Sequence, residues 1–295
     1  MSALSALFNN KIYNFEQAFG IKDITTAEMK RAIDDWYGLY YMTNASNKED
    51  PCQRIPVAII NKLTKTTFSE YSATISKKGT KDEYLKSVLK SFNKSRKKAT
   101  QQALIGGQCF LKPIFTSYGI DFSVIERRNY LVLGRNERDE ITDIGTAERT
   151  AVDKFYYTLL ERRTVNSNGY LTIESRLYRS NSKDMLGTQV ELSELDKYAA
   201  LEPVNTLPLP LYSLGLIPLA NCVDGSPDPV SAYAPATRLI HLININEAQI
   251  NGEFERGQSR IIVSGDMMTM DENGERRALC DNVFTAIDDM PENVG

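Results

Sequence analysis

Side chains able to do chemistry are sparse in this sequence, and their spacing excludes more reactions than it supports. His241 is the sole histidine, so zinc sites with several His ligands are excluded and a Ser-His-Asp triad could be built around that residue alone. The expectation for it is a helix-surface or subunit-contact histidine. Cys52, Cys109, Cys222 and Cys280 lie far apart, with no CxxC pair and no neighbouring histidine, a pattern of reduced thiols rather than metal ligands. The adjacent carboxylates Asp34-Asp35 and Asp288-Asp289 point to different sides of a helix, so neither pair offers an acid and a base to one substrate. No catalytic residue, metal ligand set or cofactor is expected, and the chain reads as a non-enzymatic protein.

The stretch ALIGGQCFLKPIF, residues 103 to 115, poses the question of phosphate binding through Gly106 and Gly107. Phosphate loops place their glycines after a strand and before a helix, so that the helix N-terminal amides face the anion. Here the order is reversed. One of the two glycines is expected to close the preceding helix in a left-handed conformation before the chain turns into a strand. Neither GxxxxGK[ST] nor GxGxxG occurs, which argues against nucleotide hydrolysis.

Around these residues the pattern alternates between helix and strand. TTAEMKRAIDDWYGLYY has Thr25 and Glu28 in capping-box spacing, followed by Met29, Ile33, Trp36, Tyr37 and Tyr40 at helical intervals. RIPVAIINKLTKTTFSEY places Pro56 in a first helical turn, with Val57, Ile60 and Leu63 on one face. From Lys77 to Lys98 nine Lys or Arg face two acidic residues, a local charge of +7 in a chain of net charge -3. Leu85, Val88, Leu89 and Phe92 form its apolar stripe, so Lys86, Lys90, Lys94 and Lys97 project from another face. Aligned lysines could neutralise phosphates or meet an acidic partner.

From about residue 108 to Leu192 short alternating runs predict an antiparallel meander. YLVLG and EITDI flank the turn RNERD, and Asn168-Gly169 marks a hairpin between FYYTLLERRTV and YLTIESRLYRS. The longest uncharged run, LPLPLYSLGLIPLANCV, is broken by Pro208, Pro210, Gly215 and Pro218, which prevents a membrane helix. The N-terminus lacks the basic region of a secretory signal, and the expectation is a soluble chain. Next, residues from about Ala232 to Glu255 read as one helix of roughly 36 Å, with Ser231 as its N-cap. Leu239, Ile240, Leu242, Ile243, Ile245 and Ile250 give it more apolar surface than one stripe needs, so contacts are expected on two sides. From Ser264 onward eight acidic residues, among them Asp266, Asp271, Glu272, Asp288 and Asp289, face Arg276 and Arg277 for a local charge of -6. Together the elements define an α+β protein.

The order of these elements resembles the portal proteins of tailed bacteriophages, in the form common in phages of Gram-positive hosts. The resemblance is carried by RIPVAIINKLTKTTFSEYSATI, ALIGGQCFLKPIF, the hairpin FYYTLLERRTVNSNGYLTIESRLYRS, and the block from LPLPLYSLGLIPLANCVDGSPDPVSAYAPATRLI to ERGQSRIIVSGDMM. It implies a ring of subunits, usually twelve, at a capsid vertex of the virion, assembled in the host cytoplasm, through which DNA is packaged and later ejected. Residues 1–228 would form a mixed α/β wing, 229–257 the first stem helix, and 258–295 the start of a small clip domain. The implied partners are copies of the same chain, the terminase large subunit, a head-completion or tail-connector protein, capsid or scaffold protein, and translocated double-stranded DNA in weak non-specific contact, with no membrane.

On that reading Leu239, Ile240, Leu242, Ile243, Ile245 and Ile250 pack subunits together. The acidic residues Asp266, Asp271, Glu272, Asp288 and Asp289 line a clip or channel surface that repels the DNA backbone, and Lys86, Lys90, Lys94 and Lys97 face capsid or scaffold protein. Two departures accompany the resemblance. Such proteins usually continue with the rest of the clip, a second stem helix, a channel loop and a crown, and the approach SPDPVS lacks the glycine expected before its serine. The alternative expectation is a nucleic-acid-binding module that uses the basic helix 77–98 directly.

Overall fold

The computed structural model describes residues 14–41, 54–75, 79, 81–116, 119–221 and 228–257, with the backbone alone for 255–257 and for four short strands beyond residue 260. The chain divides into two compact units, residues 1–44 with 54–237 and residues 45–53 with 238–295. The first unit holds helices α1 (Phe15–Phe19), α2 (Ala27–Tyr41), α3 (Ile55–Phe68) and α4 (Asp82–Gly106), then strands β1 (Gln108–Thr116) to β9 (Ile217–Ala220). Helices and sheets are both extensive, and the class is α+β. Helix α5 spans Thr237–Gly257, and the second unit continues into β10 (Ile261–Ser264), parallel to β13 (Phe284–Ile287), and β11 (Thr269–Met270), antiparallel to β12 (Arg276–Arg277).

The region read as a single meander is two sheets. One has the order β2-β1-β9, where β2 is Gly119–Ile125. The other runs β3 (Tyr130–Arg135), β4 (Ile141–Val152), β5 (Phe155–Val165), β6 (Leu171–Ser180), β7 (Thr188–Val190), with β8 (Val204–Thr206) also on β6. Strand β9 comes from the proline-rich stretch and returns about a hundred residues later to pair Ile217 to Ala220 with Leu111 to Gln108. That ladder stops before Pro113, which lacks an amide to donate, and Pro218 is tolerated because β9 is an edge strand.

The hairpin at Asn168-Gly169 is present, with Val165 opposite Leu171. Only Gly169 takes positive φ, at +80°. Asn166 supplies the rest of the turn, its side-chain oxygen accepting from the amides of Asn168 and Tyr170. The β3–β4 turn uses the same device, with Asn136 accepting from the amides of Arg138 and Glu140.

Helix α2 is capped by Thr26, whose hydroxyl accepts from the Met29 amide; the sequence expectation of Thr25 is off by one. Ile33, Trp36 and Tyr37 are buried as the periodicity predicts. On α3 Ile60 is buried but Leu63 is exposed, and Thr64 takes the inward position. Helix α4 packs its C-terminal half on the small sheet, with Ala99, Ala103 and Phe92 against Cys109, Leu111, Phe122 and Val124. Its N-terminal half is less covered, and Leu85 of the expected stripe is exposed.

Gly106 and Gly107 are required by close approach more than by capping. Gly107 has φ +84° and ψ -38°, outside the left-handed helical region expected of a cap, and a Cβ there would lie 2.1 Å from the Pro229 carbonyl oxygen. A Cβ on Gly106 would meet Arg127 Cβ at 2.6 Å and the Tyr37 hydroxyl at 2.7 Å. Gly107→Ala is therefore expected to destabilise the fold by about 2–4 kcal/mol in urea unfolding, combining backbone strain with overpacking. Gly20→Ala, at φ +72° with nothing within 4 Å, is expected to cost about 1 kcal/mol.

Candidate functional site

The described residues singled out by the sequence fall on two surfaces, and the first begins where the chain approaches α5. Between Asp228 and Tyr233 the backbone is fastened to the first unit at nearly every residue. The Asp228 carboxylate pairs with Arg135 at 2.7 Å. Pro229 lies against Gly107, and the Val230 carbonyl accepts from the Asn221 side-chain amide at 2.9 Å. The Ser231 hydroxyl (3.1 Å) and the Ala232 amide (2.8 Å) both donate to the Leu104 carbonyl. The buried Tyr233 hydroxyl donates to the Trp36 carbonyl at 2.7 Å. Leu104 lies in the last turn of α4 and Gly107 directly follows it, where carbonyls have no helical partner; the approach segment satisfies that of Leu104, and the Asn221 amide that of Gly107.

Ser231 therefore anchors the approach segment and does not cap α5. A short 3-10 turn, Ala234–Ala236, accommodates Pro235, and α5 starts at Thr237, five residues later than expected. The boundary between the two compact units falls there as well.

Along α5, Leu239, Leu242, Ile243, Ile245 and Ile250 are exposed, while Ile240 is 2% exposed. At about 100° per residue, Leu239, Leu242, Ile243, Ile250 and the equally exposed Phe254 fall within about 120° of arc. The buried Ile240 and Asn244 lie about 40° and 80° beyond one edge of that stripe, and the exposed Ile245 about 60° beyond the other. So the two-sided apolar character divides: Ile240 is covered within the single chain and five of the six named residues are not. Phe254 was missed by the sequence reading, although its spacing of four from Ile250 continues the stripe. His241 is half-buried on this helix.

The second surface is the basic helix. Lys86 is ion-paired with Asp82 at 2.6 Å, while Lys90, Lys94 and Lys97 are exposed. Arg96 is turned away from them, its guanidinium 4.0 Å from the ring centre of Tyr71 and 5.0 Å from that of Phe68, and it donates to Asn93. The acidic residues Asp266, Asp271, Glu272, Asp288 and Asp289 lie outside the described residues, as do Cys52, Cys222 and Cys280.

Cys109 is fully buried, its thiol donates to the Ala99 carbonyl, and burial pushes its pKa up to about 12; such a thiol is chemically inert at neutral pH. Among the described residues no group of His, Cys, Asp and Glu could hold a metal ion. An open concavity of about 1060 Å³ lies where the β3–β4 and β5–β6 turns meet residues 212 to 220; neither a histidine nor a cysteine lines it. No helix of the described residues is long and apolar enough to cross a membrane. No known protein family matches the chain, and no curated protein matches it.

Sequence reasoning also missed a buried charge cluster that joins the two sheets. Glu161 on β5 accepts from Lys112 of β1 at 2.8 Å and from Arg163 at 2.6 Å. Arg163 reaches on to the Leu214 carbonyl at 3.1 Å, in the run leading to β9. Burial opposes the charge on Glu161, but Lys112 and Arg163 outweigh it and hold the carboxyl below the usual glutamate range. The stability it contributes is present above the unfolded glutamate pKa and is lost as pH falls through the lower folded value. Glu161→Gln is expected to cost about 3 kcal/mol at pH 7, measured by urea unfolding, with the deficit closing in acid.

Asp34 behaves in the opposite sense. One carboxylate oxygen is buried without a hydrogen-bond partner, and desolvation raises its pKa to about 6. A carboxyl raised in the folded state favours folding below its unfolded pKa and loses that advantage as pH rises through about 6. Asp34→Asn is therefore expected to raise the thermal midpoint by on the order of 2 °C at pH 7.5, with the gain shrinking toward zero near pH 4.

Proposed function

We propose that this chain is a portal-type channel protein: a non-enzymatic, ring-forming subunit through which DNA passes at a capsid vertex, docking a separate packaging motor and a tail connector. The observation that carries the reading is the apolar stripe of α5. A row of Leu239, Leu242, Ile243, Ile250 and Phe254 left exposed on a single chain is costly in water and is stabilised when a second surface covers it. A helix covered on one side by its own chain and apolar on the other suits repetition around an axis, where each copy presents a different face to each neighbour.

The architecture supports the same reading. A mixed α/β first unit precedes a long helix that opens the second unit, and a parallel strand pair follows that helix, in the order expected of wing, stem and clip. The sequence order and the block around the stem give the resemblance its specificity. The acidic balance of -6 after Ser264 fits a surface that DNA slides past without adhering.

Negative-stain imaging of the purified protein tests the proposal: ring-shaped particles with a central hole are expected. Ile243→Asp, which places a charge in the stripe, is expected to abolish the rings, leave the far-UV circular dichroism spectrum unchanged and keep the unfolding free energy of the dissociated subunit within about 0.5 kcal/mol of the parent subunit's. A parent protein that stays monomeric at high concentration, or an Ile243→Asp variant that still forms rings, would contradict it.

A further inference from the structure

The lysine face of α4, which the resemblance turns toward capsid or scaffold protein, takes no part in the channel itself, and the structure changes its composition. Helix α3 and the part of α4 from Tyr84 to Gly106 contain eight cations, Lys62, Lys65, Lys86, Lys90, Lys94, Arg96, Lys97 and Lys98, and no Asp or Glu. Lys86 is neutralised by Asp82 and Arg96 is occupied by two aromatic rings. Lys90, Lys94, Lys97 and Lys98 remain exposed and fall within about 100° of helix arc, opposite the Phe92, Ala99 and Ala103 face that packs on the sheet. The Gln101 side chain donates to Asn61, which brings α3 alongside and adds the exposed Lys65, one turn beyond Asn61, together with Lys62.

We infer that this two-helix surface binds the phosphate backbone of duplex DNA without reading its sequence. From Lys90 to Lys98 the cations rise about 12 Å along a rigid axis in steps of one turn or less, matching a partner whose negative charges repeat at short, regular intervals. Ser87 and Gln101 flank the lysines on the same arc, their donors given to the Tyr84 carbonyl and to Asn61, and Glu83 ends the arc two turns before Lys90; none of the three offers an apolar anchor. A polyanion needs only the charge, released counterions supplying the free energy. An acidic protein segment would instead depend on buried side-chain anchors, which this arc lacks. Because the net charge of the chain is -3, attraction is local to this face, and DNA held there runs along the surface rather than adhering over the whole molecule.

Fluorescence anisotropy with a labelled 30-base-pair duplex of arbitrary sequence tests the inference at 50, 100 and 200 mM NaCl, and the face is present on every protomer, so the result is independent of ring formation. Micromolar binding is expected, unchanged by scrambling the sequence, with log K falling against log salt at a slope of about -3 to -4. The variant Lys90→Gln, Lys94→Gln, Lys97→Gln keeps helix propensity and is expected to bind at least ~10-fold more weakly, with a slope shallower by about 2.7. Absence of binding at 50 mM NaCl with ~100 µM protein would overturn the inference, as would a variant with unchanged affinity and slope. Binding of a poly-glutamate peptide in place of the duplex would overturn it too, by assigning the face to an acidic protein.

Discussion

The last turn of α4 is the constraint on which the rest of the first unit depends. A helix ends with carbonyls that have no intrahelical donor, and burying them without partners would be prohibitive. Here the Leu104 and Gly107 carbonyls are satisfied by amides and a hydroxyl from Asn221, Ser231 and Ala232, residues more than a hundred positions away. The two glycines let that backbone come close, and Arg127 and Tyr37 close the other side. One set of hydrogen bonds thus terminates α4, ends β9 and fixes the path of the chain up to α5.

Charge is distributed in keeping with that arrangement. Inside, Lys112 and Arg163 tie the small sheet to the large one through the single carboxylate of Glu161, whose buried charge is thereby paired. Along the sequence the signs are separated, positive over α3 and α4 and negative after Ser264, and the exposed lysines of α4 stand where water screens their mutual repulsion.

Local pattern made much of this legible. Helical periodicity located α2, α3 and α4, and the Asn-Gly signal located the β5–β6 hairpin, because those features depend on residues a few positions apart. What escaped depended on distant partners. Nothing near Ile217 announces that it pairs with Leu111, and the proline-rich run around it spoke only against a membrane helix. Ser231 has the right type and position for an N-cap, yet the Leu104 carbonyl competes for its hydroxyl. The lysine row was visible, whereas the loss of Lys86 to Asp82 and of Arg96 to two rings required geometry. For α5 the composition showed excess apolar surface, and the division into a covered Ile240 side and an open Ile243 side came only from burial.

Amide hydrogen exchange at Asn221 and Ala232 tests the central claim most directly, since both amides donate to the end of α4. If this junction fixes the approach to α5, the two amides exchange as slowly as those in the buried part of α4 and open only with global unfolding. Exchange at the rate of an exposed loop, with α4 still protected, would show that the approach segment detaches on its own and would contradict the account.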